Sequence, residues 1–425
     1  MKQSGQRAIE VWADWAGLGR PNRMGVLYAT PGRGKEIFSF EYDPEWLASG
    51  NAQILDPSLL LFRGVQYVLA DKPNFGLFLD SAPDRWGRLL MERREAQASR
   101  AAGRARHKLH ESDYLLGVYD GHRMGALRFR LEATGPFLDD DQSFAAPPWT
   151  SLRELEHASL QLERDDATEQ PGYLHWLRLL IAPGSSIGGA RPKATALDEL
   201  GHPWIAKFPS RNDPHDIGGW EFVVHQMAHK AGLRVAPAEA RKFNTPHRTF
   251  LTRRFDRTQT GERLHFASAL TLLGHSDGAD ASTGASYLEL AEFLMQSGAH
   301  AKRDLEELWR RIVFSICVSN VDDHLRNHGF LLEPNGWTLS PAYDINPVPF
   351  GDGLTLNISE ADNAQDLDLA REVAAFFRIK TAAADVIIND VVSVVRQWRN
   401  HAIGQGLSAN EQERMASAFR IAETS

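Results

Sequence analysis

The chain has one cysteine, Cys317, among its 425 residues. That excludes a disulfide framework and any zinc site built on several thiolates. No stretch approaches the ~20 apolar residues a membrane helix requires. The N-terminal MKQSGQRAIEVWAD has no apolar run of signal-peptide length. These absences lead us to expect a cytoplasmic protein with no membrane partner. Lysine is scarce, 10 residues against 37 arginines, so a lysine at a motif position is more informative than usual. Basic charge is not in excess either: 47 Lys and Arg against 55 Asp and Glu give a net charge of −8. That balance argues against nucleic-acid binding by the whole surface, and leaves DNA contact as local or made through a partner.

Hydrophobic residues reach 43% and run through the whole length, which suits two or three domain-sized units. The first 80 residues read as strands at Ala8–Ala13, Met24–Tyr28 and Glu36–Tyr42, separated by turn clusters. Ser81–Arg106 reads as helical, with apolar Trp86, Leu89, Leu90 and Met91. From Asp84 to Lys108 there are eight Lys or Arg and three Asp or Glu, the most basic stretch of the chain. A solvated helix face is the plain reading, and a nucleic-acid or partner patch is the alternative. Pro136–Pro148 (PFLDDDQSFAAPP) has linker composition, and a subdomain boundary is expected there. Helices are expected at Leu152–Leu162 and up to about Ile181. Beyond Gly261 the pattern is mostly helical.

The densest polar chemistry is Ser319–Asn327, S-N-V-D-D-H-L-R-N, directly after the apolar run Ile312–Val318. Such a burst after a buried element is costly unless the groups are used. Asp322 and Asn327 stand in D-x-x-x-x-N spacing, which protein kinases use for a catalytic base and a metal-binding amide. Gly329–Leu332 and Trp337–Leu339 read as a hairpin around the turn Glu333-Pro334-Asn335-Gly336. A hairpin returns its ends to one place, so Asp322, Asn327 and Asp344 would converge as hard oxygen ligands suited to Mg²⁺. The competing reading makes each carboxylate a helix or turn cap. A metal pair from His324 and His328 at i, i+4 spacing is a further alternative.

On the other side, Gly184–Lys193 (GSSIGGARPK) is a loop of small residues able to bring backbone N–H groups near phosphates. It lacks the Gly-Lys-Ser/Thr ending of a Walker A motif. Trp204–Phe208 reads as a strand whose Lys207 faces solvent or an anion. Gly219–Ala231 is an amphipathic helix, and its Glu221 either pairs with Lys207 or favours the helix N-terminus. Phe250–Arg257 reads as a strand whose backbone could meet an adenine ring.

Together the stretches SSIGGARPKA, WIAKFP, FLTRRFDR, FASALTLLG, NVDDHLRNHGF and LSPAYDINP, with the N-terminal FGLFLDSAPDRWGR, resemble the HipA-type serine/threonine kinase toxins of bacterial type II toxin–antitoxin modules. The resemblance spans nearly the whole chain. It implies an α+β fold: a protein-kinase-like two-lobed core with a strand-rich N-terminal subdomain (1–150), a nucleotide-binding lobe (151–258) and a mainly helical catalytic lobe (259–425). It implies ATP and Mg²⁺, with Asp322 as base and Asn327 and Asp344 as metal ligands. His324 would lie by the triphosphate and Lys207 on the phosphates. Gly188, Gly189, Ala190, Arg191 and Lys193 would line the nucleotide. Backbone groups of Arg253 to Phe255 would hold the adenine, with Tyr343 near. Ser186 matches the family's autophosphorylated loop serine. The chain departs from the pattern at Arg191-Pro192 and at Arg253. Asp323 is left as a cap or an anchor.

The implied partners are a small DNA-binding, HipB-like antitoxin and a protein substrate such as an aminoacyl-tRNA synthetase. A small-molecule phosphotransferase on the same scaffold, or a catalytically silent DNA corepressor, are the other readings.

Overall fold

The computed structural model describes residues 5–69, 71–138, 146–184, 189 and 191–425. The chain divides into two compact units, Met1–Asn212 with Asp256–Ala267, and Asp213–Phe255 with Ser268–Ser425. Helices and strands are mixed in the α+β class expected.

The first unit opens with strands β1 (Arg7–Ala13), β2 (Asn22–Pro31) and β3 (Glu36–Tyr42). With β4 (Val65–Tyr67) and β5 (Leu127–Arg130) they form a sheet of order β4-β3-β2-β1-β5. Alternation decides the buried face: Ile9, Val11 and Ala13 of β1 are fully buried. Short helices α1 (Pro44–Ala48) and α2 (Gly76–Leu79) follow the strands. Phe78 of α2 meets Phe40, Phe75 and Phe129 at ring-centroid distances of 5.6, 6.1 and 6.2 Å.

Helix α3 (Arg85–Ala101) starts at Asp84, whose carboxylate accepts the Arg85 N–H. It ends five residues before the Arg106 read from the pattern. The reason is a Schellman closure: Gly103 turns left-handed at φ +61, its N–H donates to Arg100 O and that of Arg104 to Ser99 O. Three of the basic stretch's eight Lys or Arg residues have hydrogen-bond partners within this unit. Arg88 grips Glu111 with two bonds of 2.7 Å, Arg104 grips Glu95, and Arg93 donates to Leu162 O at 2.6 Å. Arg85, Arg100, Arg104, Arg106 and Lys108 are exposed. Helices α4 (Glu111–Leu116), α5 (Leu152–Leu162) and α6 (Tyr173–Gly184) follow, then the hairpin β6 (Lys193–Leu197) and β7 (Pro203–Lys207).

The excursion Asp256–Ala267 is held by charge and burial. Asp256 accepts from Gly125 N at 2.9 Å and from Arg257, and Arg263 reaches Asp120 at 3.1 Å. His265 is 1% exposed beside Trp15, with burial pushing its pKa down to about 3. An unfolded histidine titrates near 6.5, so the unfolded state takes up the proton first as pH falls. Stability is therefore full above the unfolded pKa and is lost as pH falls from there towards the folded value. Between pH 7 and 5 this residue is expected to cost about 2 kcal/mol. Urea midpoints at the two pH values check it, and His265→Leu should flatten the difference.

The second unit carries α7 (Ile217–Lys230) and the hairpin β8 (Ala238–Lys242) and β9 (Arg248–Arg253). Asp216 caps α7 at Gly219 N and also binds Arg248. The chain returns through β10 (Phe266–Ser268) to α8 (Ala269–Leu272), α9 (Tyr287–Ser297) and α10 (Ala301–Val318). Leu305, Leu308, Trp309, Ile312, Val313 and Cys317 of α10 are fully buried, so Cys317 is a core residue as its apolar setting suggested. The hairpin β11 (Gly329–Glu333) and β12 (Gly336–Leu339) follows, with Gly336 at φ +129 closing the turn. Helices α11 (Leu367–Val373), α12 (Thr381–Val395), α13 (Trp398–Gly404), α14 (Ala409–Met415) and α15 (Arg420–Thr424) complete it. Trp398 stacks on Phe419 at 4.5 Å.

Candidate active site

Helix α10 delivers the polar block. Its C-terminal residue is followed by Ser319 in the left-handed region, φ 49 and ψ 48, which turns the chain sharply out of the helix. Arg420 of α15 donates to the Ser319 hydroxyl at 3.2 Å and supports that turn. Asn320 is buried and accepts the Asn346 N–H on its side-chain oxygen at 3.1 Å.

The two adjacent aspartates then take opposite environments. Asp322 is exposed. Asp323 is 5% exposed and receives the Tyr287 hydroxyl at 2.6 Å and the Ser315 hydroxyl at 3.3 Å, with His328 Nε2 at 3.1 Å. Burial pushes the Asp323 carboxyl up, but His328 and the Tyr287 hydroxyl outweigh it and hold it below the ordinary value. The same burial and the Asp323 charge raise the Tyr287 phenol well above its usual range. Asp323 is thus an internal anchor, whereas Asp322 is exposed.

Asn327 is 7% exposed, and its amide nitrogen donates to Asp322 O at 2.9 Å. This bond closes the D-x-x-x-x-N segment on itself. His324 N–H also donates to Asp322 O, at 3.0 Å. The His324 Nδ1 is buried with no hydrogen-bond partner among the described residues. A buried ring nitrogen in that state suits a polar ligand such as a phosphate oxygen. The alternative of a zinc pair fares worse, because His324 and His328 flank a short 3-10 turn, Leu325–Asn327, and His328 faces Asp323.

Beyond the hairpin, Asp344 adopts φ +58, a conformation that costs a non-glycine residue and tends to persist where a site demands it. Asn346 donates to Asp344 at 3.3 Å, and the Tyr343 hydroxyl donates to Arg326 O at 2.7 Å. The Tyr343–Arg326 and Asn346–Asn320 bonds tie the Tyr343–Asn346 segment to the Asn320–Asn327 segment. Tyr343 lies 5.5 Å from the Phe255 ring. The Arg253 N–H donates to Pro237 O at 2.9 Å, so that group is already committed within the second unit.

The residues expected on the phosphate side lie in the first unit. Lys193 and Lys207 are register partners across β6 and β7, and Lys193 is only 4% exposed. Like charges directly opposite in a sheet are unfavourable unless something negative lies between or beside them. Gly189 has φ +96, so its backbone calls for glycine, and the Lys193 ammonium lies 2.4 Å from where a Cβ would stand. Arg191 is half-buried. Ser186, Gly188 and Ala190 lie outside the described residues.

Three contributors were not singled out from the sequence: Tyr287, Ser315 and Asn346. Ser315 sits within an apolar helix run, the one polar interruption that could have pointed to it.

A family model described as the HipA-like C-terminal domain matches residues 185–398. A protein of Sinorhizobium fredii, Y4mE, which carries a provisional kinase name, is 30% identical over 151 residues, 34% of this chain and 34% of that protein. A provisionally named kinase of Haemophilus influenzae is 30% identical over 109 residues, 24% of this chain and 32% of that protein. The chain thus spans about a third of the length of the curated relatives it matches. Among solved structures, the Shewanella oneidensis MR-1 toxin–antitoxin complex of HipA, HipB and operator DNA matches with TM-score 0.61 at 18% identity. That match covers 97% of this chain and 95% of the other. At that identity it speaks for a shared fold.

Proposed function

The chain belongs to the family with a HipA-like C-terminal domain, and from that membership we propose that it is an ATP- and Mg²⁺-dependent serine/threonine protein kinase acting as the toxin of a toxin–antitoxin pair. The observation behind it is the split between Asp322 and Asp323. The aspartate with kinase spacing to Asn327 is the exposed one, and its neighbour is the buried anchor.

In this reading Asp322 accepts the proton of the attacking hydroxyl. Asn327 and Asp344 hold the metal through side-chain oxygens, and the His324 Nδ1 meets a phosphate oxygen. Lys193 and Lys207 oppose phosphate charge, and Arg253 to Phe255 with Tyr343 border the base. Bound Mg²⁺–ATP supplies the phosphoryl group and part of the charge neutralisation. Transfer forms a new bond from phosphorus to the hydroxyl oxygen and breaks the bond to the β-phosphate, leaving ADP. Ser186 is the proposed autophosphorylation site, and Gly188 and Ala190 complete the nucleotide loop. The proposed partners are a HipB-like antitoxin, through which DNA is reached, and a protein substrate such as an aminoacyl-tRNA synthetase. No helix among the described residues is long and apolar enough to cross a membrane.

The test is incubation of the purified chain with ATP and Mg²⁺, followed by intact-mass and peptide mapping. A gain of one phosphate at Ser186 or on an added synthetase, absent from Asp322→Ala, is the expected result. No transfer to any protein would end the reading, and transfer to a metabolite alone would replace it with small-molecule phosphorylation.

A further inference from the structure

The glycine loop of the first unit is held by residues about a hundred positions earlier in the chain. The Gly189 N–H donates to the Asp84 carboxylate, and the Gly189 carbonyl accepts the Trp86 N–H at 3.3 Å. The Trp86 indole N–H donates to Lys193 O at 3.1 Å. Gly189 and Lys193 are therefore both tied to the start of α3. The anchor is firm: Trp86, Leu90 and Met91 are buried, and Arg88 is fixed by Glu111 and lies 4.4 Å over the Tyr114 ring. Arg93 ties the same helix to the end of α5.

We propose that Asp84 and Trp86 are positioning residues for nucleotide binding, fixing the backbone at Gly189 and Lys193 so that the Lys193 ammonium is set before ATP arrives. The inference rests on the kinase reading above. Asp84 serves two donors, Arg85 N–H at the helix start and Gly189 N–H in the loop. The Gly189 N–H is consequently a structural donor, and the loop's contribution at that residue is shape. The Lys193 ammonium lies beside Gly189, 2.4 Å from the position a Cβ there would take. Moving Gly189 therefore moves the space that orients the lysine. Preorganisation of this kind lowers the ordering cost of binding, and its loss is read in affinity before turnover.

The test uses the full chain with Asp84→Ala, Asp84→Asn and Trp86→Phe. The phenylalanine keeps most of the buried ring and removes only the indole donor. Three readouts are taken: amide exchange over residues 189–197 without nucleotide, the Kd for Mg–ATP, and the split between KM and kcat. Asp84→Ala and Trp86→Phe are expected to speed exchange in the loop and raise Kd and KM about tenfold, with kcat changed less than about twofold. Asp84→Asn, whose amide oxygen still accepts the Gly189 N–H, should recover most of the loss. Faster exchange with unchanged KM and Kd would overturn the inference, as would unchanged exchange. If the unmodified chain neither binds ATP nor transfers phosphate, the kinase reading falls and takes this inference with it. Normal wild-type activity beside unaffected variants overturns this inference alone.

Discussion

Replacing Asp322 by Asn should reduce phosphoryl transfer by roughly 10²–10⁴-fold while leaving the fold and ATP affinity nearly unchanged. The side chain is exposed, and among the described residues the contacts to Asp322 are made at its backbone carbonyl, by the Asn327 amide and the His324 N–H. Removing the charge therefore breaks no internal hydrogen bond of that loop. The loss should fall on kcat, because a proton acceptor acts in the transition state and contributes little to ground-state nucleotide binding. Single-turnover transfer to protein, with Mg–ATP titrated separately, distinguishes the two. A variant that keeps its rate would show that Asp322 is not the base.

The neighbouring substitution should behave in the opposite way. Asp323→Ala is expected to destabilise the second unit by about 3–5 kcal/mol, since it removes one partner of a buried charged cluster. The Tyr287 and Ser315 hydroxyls would lose their common acceptor, and the His328 ring the carboxylate 3.1 Å from it. Burial then penalises each donor left unmatched. Denaturant midpoints give the stability, and near-ultraviolet dichroism from Tyr287 reports the local packing. If Asp323→Ala were as stable as the parent yet inactive, the roles of the two aspartates would have to be exchanged. The pair of variants thus separates catalysis from architecture at adjacent positions in the chain.

Much of this was legible in residues close in sequence. β1, β3, α5 and the β11–β12 hairpin stand within a residue or two of where alternation, helical period and the Pro-Asn-Gly turn put them. Element ends were less legible. The end of α3 depends on Gly103 taking a left-handed turn, and β9 stops at Arg253, where the pattern ran on to Arg257. The second unit's polar block was visible because a buried helix rarely ends in seven polar side chains without use. The role of Asp323 was not visible, because its partners Tyr287 and Ser315 come from two different helices.

The sequence alone pointed to the class of chemistry proposed. The D-x-x-x-x-N spacing, the hairpin and the returning Asp344 are local features, set by a few consecutive backbone conformations. So are the small-residue loop and the scarcity of lysine that drew attention to Lys193 and Lys207. Only the tertiary structure decided which aspartate faces outward, that Lys193 stands opposite Lys207, and that Asp84 and Trp86 hold the glycine loop. The physical reason is that burial and hydrogen-bond partnership depend on residues brought together by packing. Asp84 and Gly189 meet across 105 positions, and no local propensity encodes a contact of that range.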